Sequence, residues 1–211
     1  ALAAVENGSL AKFDAAAGIA RLQRFLKEWL ENRENADEEA WQRLLTEESW
    51  ALGQLFGSPF VIVRGKAYVG GKTFENAEGR ITDFLFKNRL TGNALIVEIK
   101  TPVARLLGGQ YRAQVYPASN DLAGGVAQAL DQRRVLMDEG NGLGLEATGA
   151  VVLNPRTVLV IGDLERQDIS GDKRRSFELL RGSLMGVDVV TFDELAEKGR
   201  DLLNLFQAVD A

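Results

Sequence analysis

Along the first part of the chain, apolar positions recur at helical spacing. Leu10, Phe13, Ala17, Ala20, Phe25 and Leu26 fall near a 3.6-residue period with Ser9 in N-cap position, which predicts a helix over 10–32. The stretch ADEEAWQRLLTEESWALGQLFG (36–57) predicts one or two more helices, opened by Asp37 and closed by Gly57. The period then shortens to two, and runs at 59–65, 66–71, 80–90 and 93–100 predict strands. Residues 101–121 read as a connection. A helix follows over 120–139, capped by Asn120 or Asp121, and then a loop over 140–149. The last third alternates strand (156–163), helix (171–184), strand (187–192) and helix (191–209). This order predicts an α/β sheet core over 36–211, preceded by a helical appendage or linker over 1–35.

One strand breaks the pattern. In NALIVEIK (93–100), Glu98 and Lys100 interrupt an apolar run, where a charge is costly unless it is paired or given a task. Residues two apart share a strand face, so Ile96, Glu98 and Lys100 point one way and Leu95, Val97 and Ile99 the other. The preceding strand divides in the same way, with Ile81, Asp83 and Leu85 opposite Phe84 and Phe86. A hairpin that sets Asp83 opposite Glu98 pairs Lys87 with Ala94. It leaves NRLTGN (88–93), the segment richest in turn formers, as the loop.

Directly opposed Cβ atoms lie about 4.5–5.5 Å apart, near enough for two carboxylates to share one cation. Without a cation they repel, and each raises the other's pKa. Asp83 and Glu98 are therefore expected to be metal ligands, with Lys100 orienting or helping to deprotonate a water. The expected chemistry is metal-assisted hydrolysis of a phosphodiester. The competing account is an edge-strand ion pair of Glu98 and Lys100 with Asp83 as bystander. The matching hairpin position of Asp83 favours the metal site.

Composition narrows the chemistry further. The 211 residues include no histidine and no cysteine, which removes disulfides, thiolate sites, Cys nucleophiles and His-based triads or metal centres. Acid–base and metal chemistry must run on carboxylates, Lys, Tyr and water, a set that suits Mg²⁺ or another hard cation. The net charge of −5 confines any nucleic-acid contact to a local basic patch. No run approaches the ~18 apolar residues of a membrane span, so a cytoplasmic location away from membranes is expected. The chain starts with Ala rather than Met, and a segment upstream of Ala1 is expected.

Asp83, a hairpin, and then Glu98-Ile99-Lys100 resemble the PD-(D/E)xK nuclease superfamily. Within it, the chain is similar to the C-terminal nuclease domain of the Shedu antiphage defence family. EEAWQRLLTEESWALGQLFG resembles that family's opening helices, GRITDFLF and LIVEIKTP its two catalytic strands, and SNDLAGGVAQALDQRRVL the helix that follows. VLVIGDLERQDISGDKRRSFELLRGSLMGVDVVTFDEL resembles its closing half. The likeness covers roughly residues 36 to 208.

The resemblance implies a restriction-endonuclease-like core, a mixed central sheet flanked by helices. It implies Mg²⁺ or Mn²⁺ held by Asp83, Glu98 and the backbone carbonyl of Ile99, with Gln128 accompanying the site. It also implies DNA as substrate and assembly into dimers or tetramers. Thr82 replaces the Pro that names the superfamily. Gln132 stands where an aromatic residue is expected and is read as structural. No extra acidic ligand can be placed on the opening helices: Glu39, Glu47 and Glu48 are candidates, each read first as a solvated helix face.

Arg64, Lys66, Lys72 and Arg80 cluster before the first charged strand and are candidate phosphate contacts, against the commoner reading of solvated surface. The KRR at 173–175 has the same two readings. GNGLG (140–144) lacks the strand and helix that a dinucleotide-binding turn needs and is read as a loop. Trp29, Trp41 and Trp50 are expected to anchor packing. The function expected is a metal-dependent DNA endonuclease, the effector domain of an antiphage protein whose upstream region carries a regulatory domain. The alternatives are a silent scaffold on the same fold and an RNA-directed nuclease.

Overall fold

A computed structural model describes residues 2–53, 56–68, 81–139 and 145–209. The described residues form six α-helices and five strands. Helices α1 (Leu2–Glu31), α2 (Glu38–Glu47) and α3 (Ser49–Gly53) lead into strands β1 (Phe60–Tyr68), β2 (Ile81–Asn88) and β3 (Asn93–Ile99). Then come α4 (Asn120–Glu139), β4 (Val151–Val160), α5 (Gly171–Ser183), β5 (Asp188–Val190) and α6 (Phe192–Val209). The strands form one mixed sheet in the order β1-β2-β3-β4-β5. β1, β2 and β3 are antiparallel neighbours, whereas β4 and β5 run parallel to β3 through the crossovers that contain α4 and α5. Among the described residues no helix is long and apolar enough to cross a membrane.

The β2–β3 hairpin has the expected register, with Phe84 opposite Val97, Phe86 opposite Leu95 and Lys87 opposite Ala94. Its turn uses Gly92 at φ +74°, and Asn88 Oδ1 accepts from the Leu90 and Thr91 N–H groups. The two strand faces enter separate cores. Phe84, Phe86, Leu95, Val97 and Ile99 pack with Phe25, Trp29, Trp41, Leu45, Leu52 and Phe192. Leu85, Ala94 and Ile96 face Leu136 and Ala150 on the other side. Burying each such side chain contributes about 1.5–3 kcal/mol before entropy is counted. Phe25 and Trp29, on the second half of α1, lie before residue 35 and yet belong to the main core.

Several boundaries differ from the sequence expectations, each for a physical reason. α1 runs through Ser9, which is therefore interior and not a cap. The run at 59–65 and the described part of the run at 66–71 form one strand, β1, with a register shift between Ile62 and Arg64. β4 starts five residues earlier than expected: Val151, Val152 and Leu153 are apolar, but the Asn154-Pro155 pair that follows them reads as a break in the strand. α4 is capped by Ser119, whose Oγ accepts from the Leu122 N–H at 3.0 Å. Asp121 instead accepts from the Arg105 N–H at 2.9 Å. Asp37 caps α2 as expected, accepting from the Glu39 N–H. GNGLG (140–144) lies outside the described residues.

Gly125 sets how close α4 lies to the sheet. A Cβ there would stand 3.1 and 3.3 Å from the two methyl carbons of Leu159 on β4, closer than ordinary van der Waals contact, so a glycine suits this approach without displacing Leu159. The close seat brings the next turns of α4, with Gln128 and Gln132, down onto β3.

Candidate metal centre

The centre lies where β3 ends. Extending the β2–β3 register one pair beyond Phe84 and Val97 sets Asp83 opposite Glu98. Glu98 is 2% exposed, and both of its oxygens are held. Oε1 accepts from Lys100 Nζ at 2.9 Å and from Gln128 Nε2 at 2.5 Å, and Oε2 accepts from Gln132 Nε2 at 2.8 Å. Asp83 Oδ2 accepts from the Ile99 N–H at 2.7 Å, and Oδ1 accepts from Gln42 Nε2.

The capped start of α2 supplies the third side. Glu38 and Gln42 are one turn apart and share a helix face. Glu38 Oε1 lies 3.5 Å from Lys100 Nζ. Glu38, Asp83 and Glu98 each offer an oxygen, and the three lie within 4.8 Å of one another.

The electrostatics are those of an acidic cluster short of positive charge. Burial, and then the Glu98 carboxylate, push the Asp83 carboxyl up to about 7. Burial also raises Glu98, against the opposing pull of Lys100 and Gln132. For Lys100, burial works downward, but the charge of Glu98 and its hydrogen bond, helped by Glu38 and Asp83, carry its pKa above the usual lysine value. One ammonium faces three carboxylates, and oxygen donors at this spacing are the set that a hard divalent cation takes.

Asp83, Glu98, Lys100 and Gln128 are brought together here. For Ile99, the bond in place is its N–H to Asp83. Lys72 and Arg80 lie outside the described residues, and so do the side chains of Arg64 and Lys66.

Two expectations need correcting. Gln132 is not merely a packing residue: it is 2% exposed and donates to Glu98. The acidic residue that the opening helices bring beside Asp83 and Glu98 is Glu38, which the sequence reading did not propose. Glu39 is exposed, 3.9 Å from Arg43, and Glu47 is exposed. Glu48 is not solvated: it is 6% exposed and takes Arg21 at 2.6 Å and Arg24 at 3.8 Å, bracing α1 against the α2–α3 junction. An acidic first turn is ordinary for any helix. Nothing in the sequence singles out Glu38 over Glu39, since each has a polar residue one turn on, Gln42 and Arg43.

A family model described as "Shedu protein SduA, C-terminal" matches residues 35–196. The chain is 37% identical over 198 residues to the Shedu protein SduA of Bacillus cereus (strain B4264), an alignment covering 90% of this chain and 52% of that protein. The chain thus spans about half the length of this curated relative. The matched stretch contains α2 to α5, all five strands and every side chain that meets at Glu98. On that match, the chain belongs to the Shedu family.

Proposed function

We propose that this chain is a metal-dependent endonuclease with a PD-(D/E)xK core, cutting DNA phosphodiester bonds as the effector part of an antiphage defence protein. The observation that carries this reading is the buried Glu98, held by Lys100 and two glutamines and facing Asp83 and Glu38. The donor set fits Mg²⁺ or Mn²⁺: Glu38, Asp83 and Glu98 would hold the ion, with the Ile99 carbonyl completing the set. When bound, such an ion supplies Lewis-acid polarisation of a phosphoryl oxygen and makes a water more acidic.

The chain's own groups do the rest. Gln128 and Gln132 donate to Glu98 and fix its plane, while Gln42 and the Ile99 N–H do the same for Asp83. Oriented carboxylates of this kind bind metal ions more tightly than mobile ones. Lys100 is protonated, so it acts as a donor: it orients the attacking water and offsets negative charge gathering on the phosphate. Cutting both strands of a duplex requires two such sites, so assembly into a dimer or tetramer belongs to this reading.

The test is cleavage of plasmid and linear DNA, and of RNA, by the purified chain in Mg²⁺, Mn²⁺ or EDTA. Glu98→Ala and Lys100→Ala, checked for folding, are run beside it. The expected result is metal-dependent cutting of DNA, reduced at least about a hundredfold in both variants, the size of losing a group that stabilises developing charge. A wild type that neither cuts nor is stabilised by metal would leave a silent binding module on the same fold.

A further inference from the structure

The segment from Lys100 to Ser119 leaves the metal centre at the end of β3 and leads into the start of α4, the helix that carries Gln128 and Gln132 two to three turns further on. Its base is firmly held. Leu106 is fully buried, and Gln167 grips the backbone around it, accepting from the Leu106 N–H at 2.9 Å and donating to Ala104 O at 2.8 Å. Gly162, at φ +67°, makes room: a Cβ there would fall 2.6 Å from Leu106. The Ser119 N–H donates to Leu106 O at 3.1 Å, and the Gly108 N–H to Pro117 O at 2.9 Å.

Above this base the chain closes into a narrow finger. The Tyr111 N–H donates to Val115 O at 2.9 Å and the Val115 N–H to Arg112 O at 3.0 Å. Gln114 takes φ +66°, a conformation non-glycine residues seldom adopt. The Tyr116 N–H donates to Ser176 Oγ at 3.2 Å, tying the return limb to α5 just after Lys173-Arg174-Arg175.

What the finger presents is specific. Tyr111 is 71% exposed, and the Arg112 guanidinium sits 5.6 Å from its ring centroid. Neither Arg112 nor the exposed Arg105 at the base forms an ion pair with a described residue. No Asp or Glu occurs between 101 and 120, although the chain carries 30 in 211 residues. An acidic protein therefore holds out a positive finger with an aromatic tip. A guanidinium pairs with phosphate, and an exposed ring stacks on a base or sugar. An acidic peptide would satisfy the arginines but offers the ring no flat partner.

We propose that the finger over 105–118 grips the DNA strand, Arg112 on a backbone phosphate and Tyr111 stacked on the adjoining nucleotide, while the scissile bond lies at Glu98 and Lys100. This deepens the nuclease reading and rests on it. Because the base is rigid, the grip costs little ordering on binding.

The test is fluorescence-anisotropy titration of the full chain with labelled duplex DNA, single-stranded DNA and RNA, in Ca²⁺ over a salt series. Arg112→Ala should weaken DNA binding roughly tenfold and reduce the slope of log K against log salt by about one. Tyr111→Ala should weaken binding by a similar factor with the slope unchanged. Both should keep wild-type Mg²⁺-linked thermal stabilisation. Variants that match the wild type in affinity and slope, while the wild type cuts DNA, overturn the finger and leave the nuclease reading intact. A loss confined to RNA overturns the DNA assignment, and a loss of the Mg²⁺-linked stabilisation overturns the grip, because the weaker binding would then come from damage to the centre. A wild type that neither binds nor cuts DNA overturns both readings.

Discussion

Glu98 concentrates the chemistry at the scale of single residues. A carboxylate at 2% exposure is tolerable because a lysine and two glutamines donate to it. Gln132→Ala removes the only one of these three donors that holds Oε2. Mg²⁺ affinity, read from thermal stabilisation, is expected to fall about 10–100-fold. Asp83 makes a prediction with a definite sign. Its folded pKa of about 7 lies above the ordinary 3.8, so without metal the folded state keeps a proton that the unfolded state gives up. The stability from that proton is full below about 4 and is lost as pH rises to about 7. Melting temperatures in EDTA should therefore show a downward contribution across this window that is missing in Asp83→Asn. Equal slopes in the two proteins would contradict the assignment.

Elements aim these residues by how closely they pack. α4 lies close to the sheet where Gly125 settles against Leu159, and this seat carries Gln128 and Gln132 to Glu98. Gly125→Val is expected to overpack that contact at a cost of about 1–3 kcal/mol, measured by urea unfolding. By lifting α4 it should also weaken Mg²⁺-linked stabilisation, which a change to an exposed α4 residue such as Arg134→Ala should leave alone. Ser119 acts at the same scale: its Oγ both caps α4 and donates to Arg105 O, joining the helix to the base of the finger. Ser119→Ala should lower stability by about 1 kcal/mol in the same measurement.

In the whole molecule, the helix before the family match is part of the packing that holds the sheet. Phe25 and Trp29 of α1 sit in the main core, and Glu48 is bound by Arg21. Just beyond α1, Arg33 makes two hydrogen bonds of 2.6 Å to Asp163, which is fully buried after β4. A chain beginning at residue 36 would leave that carboxylate without its arginine, and an unpaired buried charge typically costs about 3–5 kcal/mol. Such a chain is expected to unfold at lower urea concentration, or to be insoluble, relative to residues 1–211. An unchanged midpoint would show that α1 is dispensable.

Local pattern alone determined the alternation of strands and helices after residue 80, the hairpin register and the opposition of Asp83 to Glu98. Strand period and turn formers act between near neighbours and are written in consecutive residues. The same pattern placed Lys100 beside Glu98, since residues two apart must share a strand face. Only the tertiary structure decided which glutamate of the opening helix faces the site, because Glu38 and Glu39 look alike in an acidic first turn and differ only in where the packed helix points them. It alone also turned Gln132 from an ordinary helix residue into a donor to Glu98, through the approach that Gly125 permits. The pairing of Arg33 with Asp163, 130 residues apart, likewise exists only once sheet and helices are packed. Local spacing specifies elements and faces, whereas contacts between distant segments depend on how closely whole elements can approach.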